Sequence, residues 1–233
     1  MSGPNNNSGS VDNEGSAQSA TVAAVTDKLR TEILAGGFAP GERLGQEMLA
    51  DYFGASRMPV RIALRQLESE GLVTIVEHSG AWVSKPDRFE FDQVYKMREA
   101  LEPLAIGESV PHLEQQQIEY IVSVAKRLHA ATVPNINIED FLYFDRTFHL
   151  LTYAGVMYSP LRIQVERLWN TTQHYRRTLA THMTRHDAQM TDHDHSLIVD
   201  AVERRDAESA STLVRLHIYR TRQMVGSYLE IFS

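Results

Sequence analysis

Two groups of side chains in this 233-residue chain have the types and spacing to do chemistry. The first is a row of three arginines, Arg57, Arg61 and Arg65, whose four-residue steps place them on one stripe of a helix. No acidic residue occurs between Asp51 and Glu68, so the row is locally unopposed. Guanidinium groups bind phosphate or guanine O6 and N7 through paired hydrogen bonds, so the row could contact nucleic acid. A solvated helix face is the alternative for charges at this spacing.

The second group consists of one carboxylate and three imidazoles. Asp145 and His149 are four residues apart and therefore share a helix face, while His195 begins another predicted helix and His217 lies in the last one. This set of ligands suits zinc, nickel, manganese or iron, with water in the open positions. Because the chain has ten histidines, separate surface or core histidines are the alternative.

The spacing of apolar residues predicts three helices and a β-hairpin in the N-terminal part. Gly54-Ala55 forms the turn before the arginine-bearing helix, and Ser56 is predicted to cap that helix by accepting a backbone hydrogen bond. A short helix, a tight turn and a second helix followed by a hairpin are typical of a winged helix-turn-helix. The predicted helices are 21–35, 46–53 and from residue 57 to the glycine at 71, and the predicted strands are 72–76 and 81–84.

The rest of the chain reads as a leader, a linker and a helical domain. Residues 1–20 are small and polar and are predicted to be a disordered leader, which precedes a DNA-binding domain at 21–85. Residues 86–88 interrupt both periodicities and are predicted to be a linker. Residues 89–233 predict an all-α antiparallel bundle with helices at 89–110, 113–131, 138–155, 160–183, 187–203 and 207–232.

Composition limits the class of protein. Apolar residues make up 42% of the chain, which is enough for a sizeable core, and the absence of cysteine excludes disulfides and thiolate sites. No apolar run approaches the ~18 residues of a membrane span, and no signal pattern opens the chain, so we expect a cytoplasmic protein. The net charge of −7 argues against a general polyanion binder, whereas a sequence-specific binder needs only a local basic surface.

Residues 29–83 resemble the N-terminal domain of GntR-family transcriptional regulators. The resemblance lies in LR.EILAG.F.PGERL, LA..FG.SRMPVR.AL..LE.EGLV and H.G.WV. It implies that the helix starting at Arg57 enters the major groove and that the wing touches the DNA backbone or minor groove. The DNA-binding residues implied are Arg57, Met58 and Arg61 on the helix, with His78 and Gly80 on the wing. Many members carry an arginine in the short second helix where this chain has Glu47, so we expect a contact to be lost there.

The helical half resembles the FCD ligand-binding domain of the FadR subgroup. The motifs are D-x-x-x-H at Asp145 and His149, H-x-x-I-x-x-A-V from His195, and LVRLHIY around His217. This resemblance implies that these four residues bind a divalent metal, zinc first, beside an effector pocket. His193 is a rival to His195 but does not fit the motif.

The same resemblance includes the V-Y-x-x-R motif that ends at Arg98. Arg98 is the candidate to bind an effector carboxylate, since a guanidinium fork matches that group. A salt bridge from Arg98 to Glu102, one helical turn away, is the alternative.

The function expected from these features is that of a transcriptional repressor. A homodimer would bind a palindromic operator, and a small organic acid beside the metal would control its affinity. Two alternatives use the same Asp/His site: a hydrolase-like metalloenzyme and a repressor that senses the metal alone. We expect no enzyme, because no further Glu or Asp stands at a recognisable spacing as a general base.

Overall fold

The computed structural model describes residues 11–85 and 87–228, with side chains from Thr21 onward. The chain divides between Lys85 and Pro86 into two compact units. The N-terminal unit contains α1 (Val11–Ala35), α2 (Gln46–Phe53), α3 (Arg57–Ser69), β1 (Val73–Val76) and β2 (Gly80–Val83). The strands pair antiparallel, from Val73 opposite Val83 to Val76 opposite Gly80. Three helices and this hairpin confirm the predicted winged helix-turn-helix.

The inner face of α3 anchors the N-terminal unit. Val60, Ala63, Leu64 and Leu67 recur at helical spacing and are all buried, so the opposite stripe of the helix faces solvent. Ser56 occupies the N-cap position with extended backbone, but its side chain makes no capping hydrogen bond, so that prediction was wrong. The first-turn amides of an exposed helix end can be satisfied by water instead.

Helix α1 is longer than the sequence predicted. It begins at Val11 rather than at residue 21, so the backbone of residues 11–20 is helical and not a disordered leader. Extending a helix costs far less than nucleating one, and this polar stretch contains alanine and glutamine, which favour helix. The remainder of the predicted leader, residues 1–10, lies outside the described residues.

The C-terminal unit is an all-helical bundle, as predicted. Its elements are α4 (Arg88–Ser109), a 3-10 turn (Val110–His112), α5 (Gln115–Thr132), α6 (Ile138–Thr152), α7 (Ser159–His182), α8 (Arg185–Glu203) and α9 (Ala207–Ser227). Helix α4 packs against α7 and α9, α5 against α6 and α8, and α8 against α9. This packing brings α6, α7, α8 and α9 around one interior.

The first turn of α4 takes up part of the predicted linker. Asp87 is the N-cap: its side chain accepts from the Glu90 amide at 2.8 Å, and the Glu90 side chain accepts from the Asp87 amide at 2.9 Å. This reciprocal capping box fixes the start of the helix, so of the three predicted linker residues Asp87 is the N-cap of α4 and Arg88 is its first residue. Pro86 lies outside the described residues, as does the predicted end of the last helix at 232.

The bundle core is aromatic as well as aliphatic. Phe91, Tyr95, Phe148, Trp169 and Tyr175 are among its largest fully buried side chains. Polar side chains are buried within the same interior, which the predicted apolar periodicity did not anticipate. Among the described helices, none has both the length and the apolar character that crossing a bilayer requires.

Candidate functional site

The outer stripe of α3 carries the residues predicted to contact DNA. Arg57 and Arg61 are exposed, and Met58 between them is 46% exposed, because the four apolar positions of the helix take the inward face. The stripe is therefore exposed along one side of the unit. Arg65 continues it but pairs with Glu68, one turn away, at 3.1 Å.

The wing presents the other two predicted residues. His78 has an exposed side chain and a left-handed backbone with φ of 59°, at the tip of the β1–β2 hairpin. Gly80 has φ of 139°, and an added Cβ would lie 3.4 Å from Nε of Arg43, so both conformation and space favour glycine. Nη2 of Arg43 donates to the Ser79 carbonyl at 3.4 Å, which ties the hairpin turn to the strand-like segment at Arg43.

In the bundle, the structure brings together the four residues predicted to bind metal. Asp145 and His149 come from α6, His195 from α8 and His217 from α9, and one ligand atom of each lies within 4.8 Å of the others. Nε2 of His195 is 3.1 Å from Oδ1 of Asp145 and 3.3 Å from Nε2 of His149. All four residues are buried, whereas the rival His193 is exposed.

The histidines of this cluster are held in the neutral form. Burial lowers the pKa of His195 to about 3, with Arg176 adding to the effect. Burial, followed by neighbouring positive groups, lowers the pKa of His149 and His217 well below the usual range. Neutral imidazoles offer lone pairs, which is the state that metal binding requires.

The donor set fits a divalent metal ion. Nδ1 of His195 is buried and has no hydrogen-bond partner in the described residues. Three imidazole nitrogens and one carboxylate oxygen are the donors of a zinc site, and they would equally accept nickel, manganese or iron with added water. Each neutral imidazole carries one N–H and one lone pair, so the three rings can each offer a lone pair to an ion placed between them.

A layer of charged residues surrounds the cluster on the His217 side. Nδ1 of His217 lies 3.3 Å from Oδ2 of Asp194, and Asp194 also pairs with Arg220. If Nδ1–H donates to this carboxylate, Nε2 keeps the lone pair that a metal needs. Asp194 is nearly buried, and it directly precedes His195 on α8. Its role could not be read from the sequence, because His217 lies on another helix.

Arg98 was predicted to bind an effector carboxylate, with a salt bridge to Glu102 as the alternative. In the structure it forms this salt bridge. Nε of Arg98 lies 2.5 Å from Oε1 of Glu102, and Nη1 donates to Oγ1 of Thr172 at 3.2 Å. Glu102 also accepts from the Tyr153 hydroxyl at 2.7 Å and from Nε1 of Trp169 at 3.0 Å. Burial opposes the charge of Arg98, but the pair with Glu102 outweighs it, so the pKa of Arg98 is raised. This carboxylate is fully engaged within the bundle.

A second buried arginine, missed at the sequence level, lies at the metal-type cluster. Arg176 of α7 pairs with Oδ2 of Asp145, and its Cζ is 3.9 Å from the centroid of the Trp169 ring. Burial, together with the positive charge of Arg98, lowers the pKa of Arg176 to about 9. Its Nε has no hydrogen-bond partner in the described residues. The sequence does not single out Arg176, because it belongs to no motif and its position among the apolar residues of α7 gives no sign of a polar partner.

A small cavity adjoins this arginine. Its volume is about 30 Å³, and its polar lining consists of Asp145, Arg176, Thr191, His217 and Thr221. Such a volume holds one or two water molecules by the usual requirement of roughly 10–15 Å³ each. A wider depression of about 670 Å³ lies where α4 begins and α9 ends, and its lining shares no residue with the cluster.

A winged helix-turn-helix followed by an all-helical bundle is the domain arrangement of a class of DNA-binding transcription regulators. Residues 21–83 match the family model "Bacterial regulatory proteins, gntR family", and residues 93–220 match the "FCD domain". The chain therefore belongs to the GntR family of regulators, in the group that carries an FCD domain, as the sequence predicted. It is a transcription regulator and not an enzyme, so the metalloenzyme alternative is set aside.

Relatives of known sequence and structure agree with this assignment. The chain is 26% identical over 204 residues to the uncharacterized HTH-type transcriptional regulator YdhC of Bacillus subtilis, covering 88% of this chain and 90% of that protein. It is 26% identical over 199 residues to the HTH-type transcriptional repressor GlaR of Escherichia coli, covering 82% and 89%. The solved structure of E. coli McbR/YncC has the same fold, with a TM-score of 0.76 at 21% identity over 88% of this chain and 96% of that one.

Proposed function

We propose that this protein is a cytoplasmic transcriptional repressor that binds a palindromic operator as a homodimer. In this proposal a small carboxylate, bound beside a divalent metal in the bundle, controls operator affinity. The observation that carries it is the buried set of Asp145 and three neutral imidazoles beside Arg176 and a small cavity. The repressor assignment is supported by relatives that are repressors, such as GlaR of E. coli.

On the DNA side, the proposed contacts are the exposed residues of α3 and the wing. Arg57, Met58 and Arg61 would enter the major groove, and His78 and Gly80 would approach the backbone or minor groove. An exposed row of arginines with no carboxylate on its own stripe before Glu68 supports this assignment. Two such units, one from each protomer, would bind half-sites about one helical turn apart.

On the metal side, the proposed ligands are Asp145, His149, His195 and His217, with zinc as the first candidate. A bound divalent ion would supply a fixed positive charge that attracts an anion. The charges around the site support this. Arg98 and Arg176 are balanced by Glu102 and Asp145, and the imidazoles are neutral, so an added divalent ion leaves the buried site with two surplus positive charges.

The effector proposed is therefore a small carboxylate. Arg176 lines the cavity, whereas Arg98 is already paired with Glu102, so we assign the direct contact to Arg176 and a supporting positive charge to Arg98. A metal held by Asp145 would compete with Arg176 for this carboxylate, and the guanidinium of Arg176 would then be available to the anion.

Two measurements test this proposal. Elemental analysis of the purified protein should find about one divalent ion per chain, since the four ligands form a single site. Thermal unfolding of the zinc-loaded protein should then shift upward with a small carboxylate but not with a neutral analogue of the same size. The variant Arg176→Gln should keep its metal and lose the carboxylate shift. A protein that holds no ion, or an Arg176→Gln variant that retains the full shift, would contradict the proposal.

The pure metal-sensing alternative is separated by the same experiment. A metal sensor would change its DNA affinity with zinc alone, and no carboxylate would add to the change. The position of Arg176 against Asp145 favours the carboxylate version, because a metal sensor needs no second cation in its core.

A further inference from the structure

The three arginines of α3 differ in what they touch. Nη2 of Arg57 pairs with Oε1 of Glu47, which stands ten residues earlier on α2, and Arg65 pairs with Glu68 on its own helix. Nη2 of Arg61 contacts only the sulfur of Met58, at 3.2 Å, and no carboxylate of the described residues pairs with it. Arg57 is therefore the one arginine of the stripe that the preceding helix holds in place.

Glu47 occupies an unusual place for a carboxylate on a DNA-binding surface. It lies in the first turn of α2, where a negative charge is favoured by the helix dipole, and its side chain is 75% exposed. Its partner Arg57 is 66% exposed, so the pair adds little to folding stability. Near DNA the same carboxylate would repel phosphate groups at close range. We therefore expect Glu47 to affect DNA binding rather than folding.

We propose that Glu47 is a specificity-determining residue that acts through Arg57. Nη2 of Arg57 donates to Oε1 of Glu47, so the carboxylate restricts the orientations open to the remaining N–H groups of the guanidinium. A fixed guanidinium can meet the O6 and N7 atoms of a guanine in the major groove, whereas a free one can turn to the nearest phosphate of any sequence. Glu47 would thus weaken binding to arbitrary DNA and preserve binding to a site with guanine at the matching position.

This inference rests on the proposed DNA contact of Arg57, and the experiment separates the two. Duplexes are first selected from a random-sequence pool by the full-length protein. The dissociation constant is then measured by fluorescence anisotropy at fixed salt for the selected duplex and for a scrambled duplex of equal composition. The quantity of interest is the ratio of the two constants, because it reports specificity rather than affinity.

For Glu47→Gln we expect binding to the scrambled duplex to tighten about 3–10-fold, and the specificity ratio to fall by a similar factor, in keeping with the removal of about one charge beside the backbone. The matched control is Asp51→Asn, which removes an equal charge from an exposed position on the same helix and should leave the ratio within about 2-fold. In an Arg57→Ala background, Glu47→Gln should leave the ratio unchanged. Circular dichroism melting of each variant checks folding.

Three results would overturn the inference. An equal effect of Asp51→Asn would show that only net charge matters. A full effect of Glu47→Gln in the Arg57→Ala background, with a change in the base selected, would show that Glu47 reads a base directly, as a carboxylate can from cytosine N4. An unchanged ratio for Glu47→Gln would show no role. Arg57→Ala alone tests the proposed DNA contact, so its failure is distinguishable from failure of the Glu47 proposal.

Discussion

The arginines of the two units lie in opposite environments. On α3, Arg57 and Arg61 are exposed, and their partners are exposed carboxylate or sulfur groups. In the bundle, Arg98 and Arg176 are buried, both near the ring of Trp169 and each paired with a buried carboxylate. Removing an exposed arginine leaves water in its place, whereas removing a buried one strands a charge in the core. Substitution of the first pair is therefore expected to leave the fold intact, whereas substitution of the second is expected to destabilise the bundle.

The largest effect is expected at the proposed metal ligands of the buried site. His149→Ala should remove the bound ion, because three ligands that remain around a buried gap bind far more weakly than four. Elemental analysis after dialysis should fall from about one ion per chain to near zero. The control is His193→Ala, an exposed histidine on α8, which should keep the ion. Retention of the ion in His149→Ala would remove this residue from the ligand set.

Next in size is the cost of stranding a buried charge. Arg98→Ala leaves Glu102 buried with hydrogen bonds from Tyr153 and Trp169 but without a cation, and should lower the free energy of unfolding by about 3–5 kcal/mol. Denaturant unfolding measures this change. The paired variant Arg98→Met with Glu102→Gln should recover much of the loss. A loss below about 1 kcal/mol for Arg98→Ala would mean that burial of this pair matters less than the contrast with α3 implies.

A smaller effect is expected from the charged layer around the metal ligands. Asp194→Asn removes the carboxylate that orients His217, and loss of such a partner typically weakens metal binding about 10–100-fold. Competition against a chromophoric zinc chelator gives the affinity. Asp200→Asn, an exposed carboxylate later on α8 that pairs with Arg204, is the control and should bind zinc normally. Equal affinity for Asp194→Asn and the control would assign Asp194 to packing alone.

On α3, substitutions are expected to change the free energy of unfolding least, while clearly lowering the affinity for DNA. Arg61→Ala should weaken binding to a selected duplex by about 10-fold or more, while unfolding stays within about 0.5 kcal/mol of the parent. Arg65→Ala, whose guanidinium pairs with Glu68, should have a lesser effect on DNA affinity. Anisotropy titration at fixed salt and denaturant unfolding measure the two quantities. A clear loss of stability in Arg61→Ala would show that an exposed arginine of α3 also contributes to folding, contrary to the comparison with the buried arginines.

The local features of the fold could be predicted from the sequence. Apolar spacing identified the inward face of α3 through Val60 and Leu64, and the wing and the bundle helices followed within a few residues. The metal-type set was also found, because Asp145 and His149 share a helix face and His195 and His217 match family motifs. These are signals that a periodicity or a motif records.

Side-chain contacts between different helices could not be predicted from the sequence. The contact of Arg176 with Asp145 and that of Asp194 with His217 each link residues on different helices, so no spacing reveals them. The partner of Arg98 was likewise open, because spacing alone does not show whether Glu102 or an effector carboxylate meets the guanidinium; in the structure it pairs with Glu102. The extension of α1 to Val11 went unpredicted because a polar stretch without an apolar stripe gives no helical period.

In the proposed function, occupancy of the bundle site controls the affinity of the N-terminal unit for DNA. Anisotropy titration of a selected duplex with zinc-loaded protein at fixed salt, with and without a panel of small carboxylates, measures this control. At least one carboxylate should change the dissociation constant by about 5–150-fold, and Arg176→Gln should abolish the change while retaining zinc. Identical DNA affinity for metal-loaded protein with every carboxylate tested, and for metal-stripped protein, would show that the bundle site does not control DNA binding.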